Sequence, residues 1–417
     1  MARVLVMLLG MLTAAAAAVV WLNHTPDSAP SPAPRADAAT VARGAYLARV
    51  GNCAACHTAR GSQAYAGGRG LPTPFGTVYA GNLTPDDETG LGRWSADDFW
   101  RALHHGRSRD GRLLTPAFPY TAFTQVSRDD SDALYVYLRS LAPVAQPTTA
   151  SGLRFPFNTQ AALAVWRALY FRPAASAAAA EPGRSAEWQR GAYLVRGLGH
   201  CAACHAPRNA LGATRQADRL AGGALPLQPW FAPDLAPLAG VPLDRQQRDV
   251  VDLLRTGMSA HGTAGGPMAE VVVGSTQHWT DPDLQAAAVY LTSLPTRQPP
   301  ASAPGPADTD NAAQTARAKA LYTHQCAGCH GAHGEGAPGV YPPLAGNPSV
   351  TLADAGNAMQ VIRHGGFAPQ TRAHPRPFGM PPAGLSHQDL ADVTTFIRQS
   401  WGNQAGAVTV QEAMRAP

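Results

Sequence analysis

Arg190-Gly191-Ala192-Tyr193-Leu194 leads into Cys201-Ala202-Ala203-Cys204-His205, and nearly the same run stands earlier as Arg43-Gly44-Ala45-Tyr46-Leu47 before Cys53-Ala54-Ala55-Cys56-His57. A more distant copy follows, Ala318-Lys319-Ala320-Leu321-Tyr322 before Cys326-Ala327-Gly328-Cys329-His330. Self-similarity on this scale marks repeated structural units, and it divides the chain into three. Each unit ends on the same signature, Ser127 to Asp130, Thr280 to Asp283 and Ser386 to Asp389, all Ser/Thr-x-x-Asp. Such a hydroxyl accepts from the free amides of a helix's opening turn, and the acidic residue three places on can return the contact. Apolar residues then recur at helical spacing, as in Leu134, Tyr137, Leu138 and Leu141, or Leu390, Val393, Ile397 and Trp401. No alternating strand pattern stands out, so the expected fold is all-α, with three tandem modules.

All six cysteines fall in the three pairs, and a histidine follows each pair at once. Cys-x-x-Cys-His is the attachment pattern for c-type haem. Two thiols so spaced can each add to one vinyl group, and the next residue then lies under the ring, where its imidazole ligates the iron. Disulfides would account for the cysteines but not for the histidines. Structural zinc needs a second ligand pair nearby, and these pairs lie more than 100 residues apart. A thioredoxin-like site needs a βαβ setting, which the sequence lacks. The expected cofactors are therefore three covalently bound haem c groups. Cys53, Cys56, Cys201, Cys204, Cys326 and Cys329 attach them, and His57, His205 and His330 are the proximal iron ligands.

A methionine thioether commonly caps the iron of an electron-transfer cytochrome and raises its potential. The second module offers Met268 in Gly266-Pro267-Met268, and the third offers Met380 in Phe378-Gly379-Met380-Pro381-Pro382. At the matching place the first module reads Pro116-Ala117-Phe118-Pro119, and no methionine occurs between Met11 and Met258. The first iron is thus expected to be five-coordinate or capped by another group. His104 is the better candidate, because His105 has a counterpart, His364, in a module that already has Met380.

The chain has 417 residues and a formal net charge of +5 with the histidines neutral. Its 45% hydrophobic content excludes a wholly disordered chain. The positive charge is carried almost entirely by arginine, with Lys319 the sole lysine, and no basic run suits nucleic acid. From Val4 to Leu22 the chain is apolar and uncharged behind Arg3. That pattern suits a signal peptide or a membrane anchor over 1–22. A linker follows over 23–39, then domain 1 over 40–145, a connector over 146–182, domain 2 over 183–297, a Pro-rich linker over 298–310 and domain 3 over 311–405. In the connector, the apolar stretch Ala161 to Phe171 is read as a packed element rather than a membrane-surface helix.

Further motifs join the repeats: Tyr79-Ala80-Gly81-Asn82-Leu83-Thr84-Pro85, Glu88-Thr89-Gly90-Leu91-Gly92-Arg93-Trp94-Ser95 and Arg154-Phe155-Pro156-Phe157-Asn158. With Gly266-Pro267-Met268 and Gly379-Met380-Pro381-Pro382, they make the chain resemble the three-haem cytochrome c subunits of bacterial membrane-bound dehydrogenases. The resemblance implies three class I cytochrome c-like domains on the periplasmic side of the inner membrane. It also implies a separate catalytic subunit of quinoprotein, flavin or molybdenum type, with ubiquinone or a terminal oxidase as acceptor. Phe118 departs from relatives that carry methionine there and leans the resemblance toward cytochromes that serve molybdenum hydroxylases. With no Gly-x-Gly-x-x-Gly opening a βαβ unit, the chain reads as a non-catalytic electron-transfer subunit held to the membrane by its N-terminus. The competing expectations are a peroxidase-like haem enzyme using an open first iron and a soluble electron shuttle.

Overall fold

The computed structural model describes residues 1–24, 31–175, 181–296 and 312–416. The linker expected over 298–310 lies outside them, as do residues 25–30 of the first linker and 176–180 of the connector. Two compact units are present. The first comprises Met1–Glu181 with the short pieces Arg196–His200 and Asn209–Ala213, and the second comprises Pro182–Val195, Cys201–Arg208 and Thr214–Pro417.

In the first unit, α1 (Ala2–Asn23) precedes α2 (Ala38–Val50) and the single turn α3 (Cys53–His57). A hairpin of β1 (Gly70–Thr73) and β2 (Gly76–Tyr79) follows, then α4 (Ala96–His105), α5 (Tyr120–Phe123), α6 (Arg128–Arg139), β3 (Gly152–Leu153) and α7 (Gln160–Tyr170). The short antiparallel β1-β2-β3 sheet is a minor addition to a mostly helical chain, which fits the all-α expectation. Its signal was the turn Thr73-Pro74-Phe75-Gly76, where Gly76 takes a φ of 123° that other residues rarely adopt.

The second unit holds α8 (Ala186–Arg196), α9 (Ala202–His205), β4 (Gly223–Ala224), β5 (Phe231–Ala232), α10 (Leu243–Thr256), β6 (Met258–Ser259), β7 (Gly262–Thr263), α11 (Pro267–Gly274) and α12 (Asp281–Thr292). It continues through α13 (Ala312–Gln325), α14 (Ala327–His330), α15 (Gly356–His364), β8 (Gly366–Phe367), β9 (Gly379–Met380), α16 (His387–Gln399) and α17 (Val410–Arg415). The second and third motifs therefore share one compact unit. Asn357 of α15 ties them: its Oδ1 accepts from the Phe231 amide at 2.9 Å and its Nδ2 donates to the Phe231 carbonyl at 2.8 Å. Past residue 405, α17 packs on α16 with Ala413 fully buried.

The repeated five-residue run has a packing explanation. In α2 the buried Leu47, Ala48 and Val50 face Ala133, Leu134 and Leu138 of α6. Gly44 lies at this crossing, where a Cβ would sit 1.9 Å from the Ala133 carbonyl oxygen. Gly191 repeats this against Ala286, again at 1.9 Å. The arginine before each glycine reaches the capping acid of the closing helix. Arg43 Nε donates to Asp130 at 2.8 Å, and Arg190 grips Asp283 through Nε and Nη2 at 2.7 and 2.8 Å. In the third repeat Arg317 of α13 pairs instead with Asp392, one turn beyond the capping acid Asp389, which it approaches at 3.8 Å. The capping hydroxyls Ser127, Thr280 and Ser386 all accept from the amide three residues on.

Gly191→Ala should therefore destabilise the protein despite the gain in helix propensity. The added methyl meets a backbone oxygen that no rotamer can move, an overpacking cost of about 1–3 kcal/mol. A lower urea midpoint for the loaded protein is the expected result. An unchanged midpoint would show that α8 and α12 can separate freely.

Candidate haem centres

Each Cys-x-x-Cys-His run folds as one helical turn, and in each the histidine Nδ1 is held by a backbone carbonyl further along the chain. His57 Nδ1 donates to Gly81 O at 2.7 Å, His205 Nδ1 to Pro233 O at 2.7 Å and His330 Nδ1 to Pro342 O at 2.9 Å. A donor pinned at Nδ1 fixes the tautomer and leaves Nε2 with its lone pair for a metal. Burial lowers the pKa of all three imidazoles, which favours the neutral, ligating form.

The three carbonyls were not anticipated from sequence, yet they carry a signature. Gly81-Asn82-Leu83, Pro233-Asp234-Leu235 and Pro342-Pro343-Leu344 each place leucine two residues after the acceptor. Asn82 is buried and anchors the first of these loops, its Nδ2 donating to Val144 O at 2.7 Å. Two arginines were missed as well. Arg69 Nη1 donates to Ala55 O at 2.6 Å and Arg208 Nη2 to Ala203 O at 2.5 Å, so a guanidinium is fixed at the turn between the two cysteines.

No disulfide joins any of the six cysteines. Burial, and then the neighbouring cysteine, push Cys53 and Cys201 up to about 12. Neutral buried thiols make poor thiolate ligands and poor redox nucleophiles. Among the described residues no three His, Cys, Asp or Glu side chains converge as a metal site. A haem fits these places on donor chemistry, since it asks for two thiols on one turn and a single neutral imidazole beside them.

Met380 packs against the third module's core together with Cys326, Ala327 and Trp401. It lies half-buried in β9, paired to Gly366 of β8. Gly365, at a φ of 69°, lies so close that a Cβ would be 2.3 Å from the Met380 carbonyl. The structure thus brings Cys326 and Met380 onto one core. Met268 is half-buried in the first turn of α11, behind Gly266, where a Cβ would meet the Trp230 ring at 2.5 Å.

In the first module Phe118 stands in the equivalent segment, its ring 5.4 Å from Phe123. The two histidines are arranged differently from expectation. His104 is buried, stacked on Trp100 at 4.4 Å, and its Nε2 bonds the Ala174 carbonyl at 3.1 Å. That packing holds the His104 ring through Nε2. His104 and His105 both have a buried Nδ1 without a hydrogen-bond partner, and burial, followed by His104 and nearby arginines, lowers the pKa of His105 to about 4.

The cytochrome c family model matches residues 41–142 and 315–401, which hold the first and third motifs. The chain is 41% identical over 400 residues to the cytochrome c subunit of a quinone alcohol dehydrogenase from Gluconacetobacter polyoxogenes, covering 92% of this chain and 85% of the relative. It is 37% identical to the gluconate 2-dehydrogenase cytochrome c subunit of Pantoea cypripedii, covering 89% and 88%. Against a nicotinate dehydrogenase subunit of Pseudomonas putida it is 40% identical over 94% of its own length, which is 32% of that larger protein.

Proposed function

The chain belongs to the cytochrome c subunits of bacterial dehydrogenases, and from that premise we propose that it carries three haem c groups and conducts electrons from a catalytic dehydrogenase subunit to ubiquinone or a terminal oxidase. Covalent haem c and electron transfer come with family membership. The observation that supports three groups is the threefold recurrence of a Cys-x-x-Cys-His turn whose histidine Nδ1 is held by a carbonyl. Haem, once bound, supplies one-electron exchange at its iron. The chain's own residues hold the imidazoles neutral and oriented, keep water from the buried faces and set the sixth position. Cys53, Cys56, Cys201, Cys204, Cys326 and Cys329 serve as the attachment points, with His57, His205 and His330 as proximal ligands. Met268 and Met380 serve as the sixth ligands of the second and third irons. Adding the dehydrogenase's substrate to membranes containing the complex should reduce all three haems; failure to reduce any of them would overturn the reading.

The first haem differs from the other two, because its module has no methionine and Phe118 fills the corresponding place. His104 Nε2 bonds Ala174, but His104 and His105 each keep a buried Nδ1 without a hydrogen-bond partner, so the sixth position falls to one of these histidines or stays open. A redox titration should resolve one haem of lower potential. Three indistinguishable histidine–methionine haems would remove this asymmetry. An open first iron would also admit a small ligand, so rapid reaction of one haem with peroxide would favour the peroxidase-like alternative.

The N-terminal helix serves as a membrane anchor on the periplasmic side. Its length of 22 residues, at about 1.5 Å per residue, suits a hydrocarbon core of about 30 Å, and all but its last turns are open along their length.

A further inference from the structure

The last turn of α1 is built into the first unit by a buried polar node. Asn23 ends the helix and is only 8% exposed, while the apolar residues before it are almost all exposed. Its Nδ2 donates to Ala164 O of α7 at 2.9 Å, and its Oδ1 accepts from Arg167 Nε at 3.0 Å. Arg107 donates to its carbonyl. Arg167, itself buried, lies over the rings of Tyr120 and Phe171 at 5.1 and 4.8 Å. One end of the apolar helix is thus fixed to α7.

The outward face of α7 is apolar. Arg167 and Ala168 are its buried residues, whereas Ala161, Val165 and Leu169, four residues apart, are exposed along one stripe. Val165 is 48% exposed and Leu169 62% exposed. A surface helix that faces water normally turns its polar residues outward; here the charged Arg167 points in and the aliphatic residues point out. Leu211 extends the patch, held beside it by the Trp166 Nε1–Leu211 O hydrogen bond of 2.9 Å, and Phe155, five residues before α7 in the chain, is exposed as well. Trp166 and Tyr170 lie on the same helix, and the exposed Arg154 and Arg172 flank it.

We propose that α7 lies flat at the headgroup–acyl boundary of the leaflet where α1 emerges, with Val165, Leu169 and Phe155 against lipid. The inference rests on the anchor reading above, and geometry carries it further. A helix crossing the bilayer delivers its final residue to the interface, and the final residue of α1 is bonded to the middle of α7. A helix held there with aliphatic residues outward, aromatic residues beside them and arginines at its margins matches a monotopic membrane helix. The unit seated in this way is the one that holds the Cys53–His57 site.

The test uses the full-length haem-loaded protein in phosphatidylcholine–phosphatidylglycerol vesicles, with a diazirine-bearing phospholipid photolysed and adducts mapped by peptide mass spectrometry. Adducts are expected both in α1 and within 155–172, Leu169 included. Adducts in α1 with none in 155–172 overturn the lipid seat and leave the anchor standing. Adducts in 155–172 without α1 keep the seat and remove the anchor, and adducts in neither overturn both. Repeating the labelling in native membranes separates lipid from protein: loss of the 155–172 adducts only when the catalytic subunit is present would give this face to that subunit and overturn the proposal.

Discussion

Replacing Cys326 and Cys329 together by alanine is expected to yield a chain with two covalent haems in place of three, a loss of one third of the haem that stays on the denatured chain in a haemochrome assay. The basis is local. Both cysteines stand at the turn that ends in His330, and that histidine is fixed to Pro342 O at 2.9 Å. With both thiols gone no covalent tether remains in the third module, while Cys53, Cys56, Cys201 and Cys204 are untouched. The effect should also reach the fold, because Cys326, Ala327 and Met380 pack on the cluster of Tyr322, Met359, Leu390 and Ile397. The compact unit they belong to contains the second module too, tied through Asn357 to Phe231. Retention of three covalent haems in the double variant would refute attachment at this pair. A count of two with unchanged stability would show that this core stands without its cofactor.

What could be read from the sequence was what side-chain type and short spacing encode. The three attachment turns, the capping hydroxyls at Ser127, Thr280 and Ser386, and the closing helices are all local patterns, and they form as such. The carbonyls of Gly81, Pro233 and Pro342 were invisible because any residue supplies a carbonyl; only the leucine two places on marks them. Gly44 and Gly191 could be noticed as repeats, but their reason is a helix crossing that no local pattern states. The Asn357–Phe231 pair spans 126 residues, so the joining of the second and third modules had no short-range signal. The stretch from Ala161 to Phe171 reads as a packed connector on hydrophobicity alone. Arg167 and Ala168 do pack inward, and the exposed aliphatic stripe adds what composition does not give, since apolar content does not say which way a face points. His104 ranks above His105 when the repeats are compared; the structure adds Trp100 stacking and the bond to Ala174, while the Nδ1 of both histidines is buried without a partner.

Met380→His should lower the potential of one haem by on the order of a tenth to a few tenths of a volt, a fraction of the roughly 0.8 V that axial ligands span. The direction follows from the ligand, since a thioether favours the reduced iron more than an imidazole does. The size depends on the backbone holding the new side chain where the old one was. That backbone is well held: β9 pairs with β8, Gly365 lies against the Met380 carbonyl, and Gly379 lies against the Phe367 ring. Met359 provides the control, because it is 5% exposed within the same core cluster and sits on α15 rather than in the Pro-flanked strand. Met359→Leu should leave every potential in place while costing a little stability. The second module allows a sharper discrimination. Met268 and Met258 are both present, and Met258 is the more buried at 8% exposed. Met258 lines a cavity with Val340 and Phe378 of the third module, a packing role that accounts for its burial. Met268→Leu should therefore abolish the sulfur-to-iron charge-transfer absorption of one haem, and Met258→Leu should preserve it. The opposite outcome would move the second sixth ligand to Met258 and would mean that the proline before Met268 marks a helix start rather than a ligand.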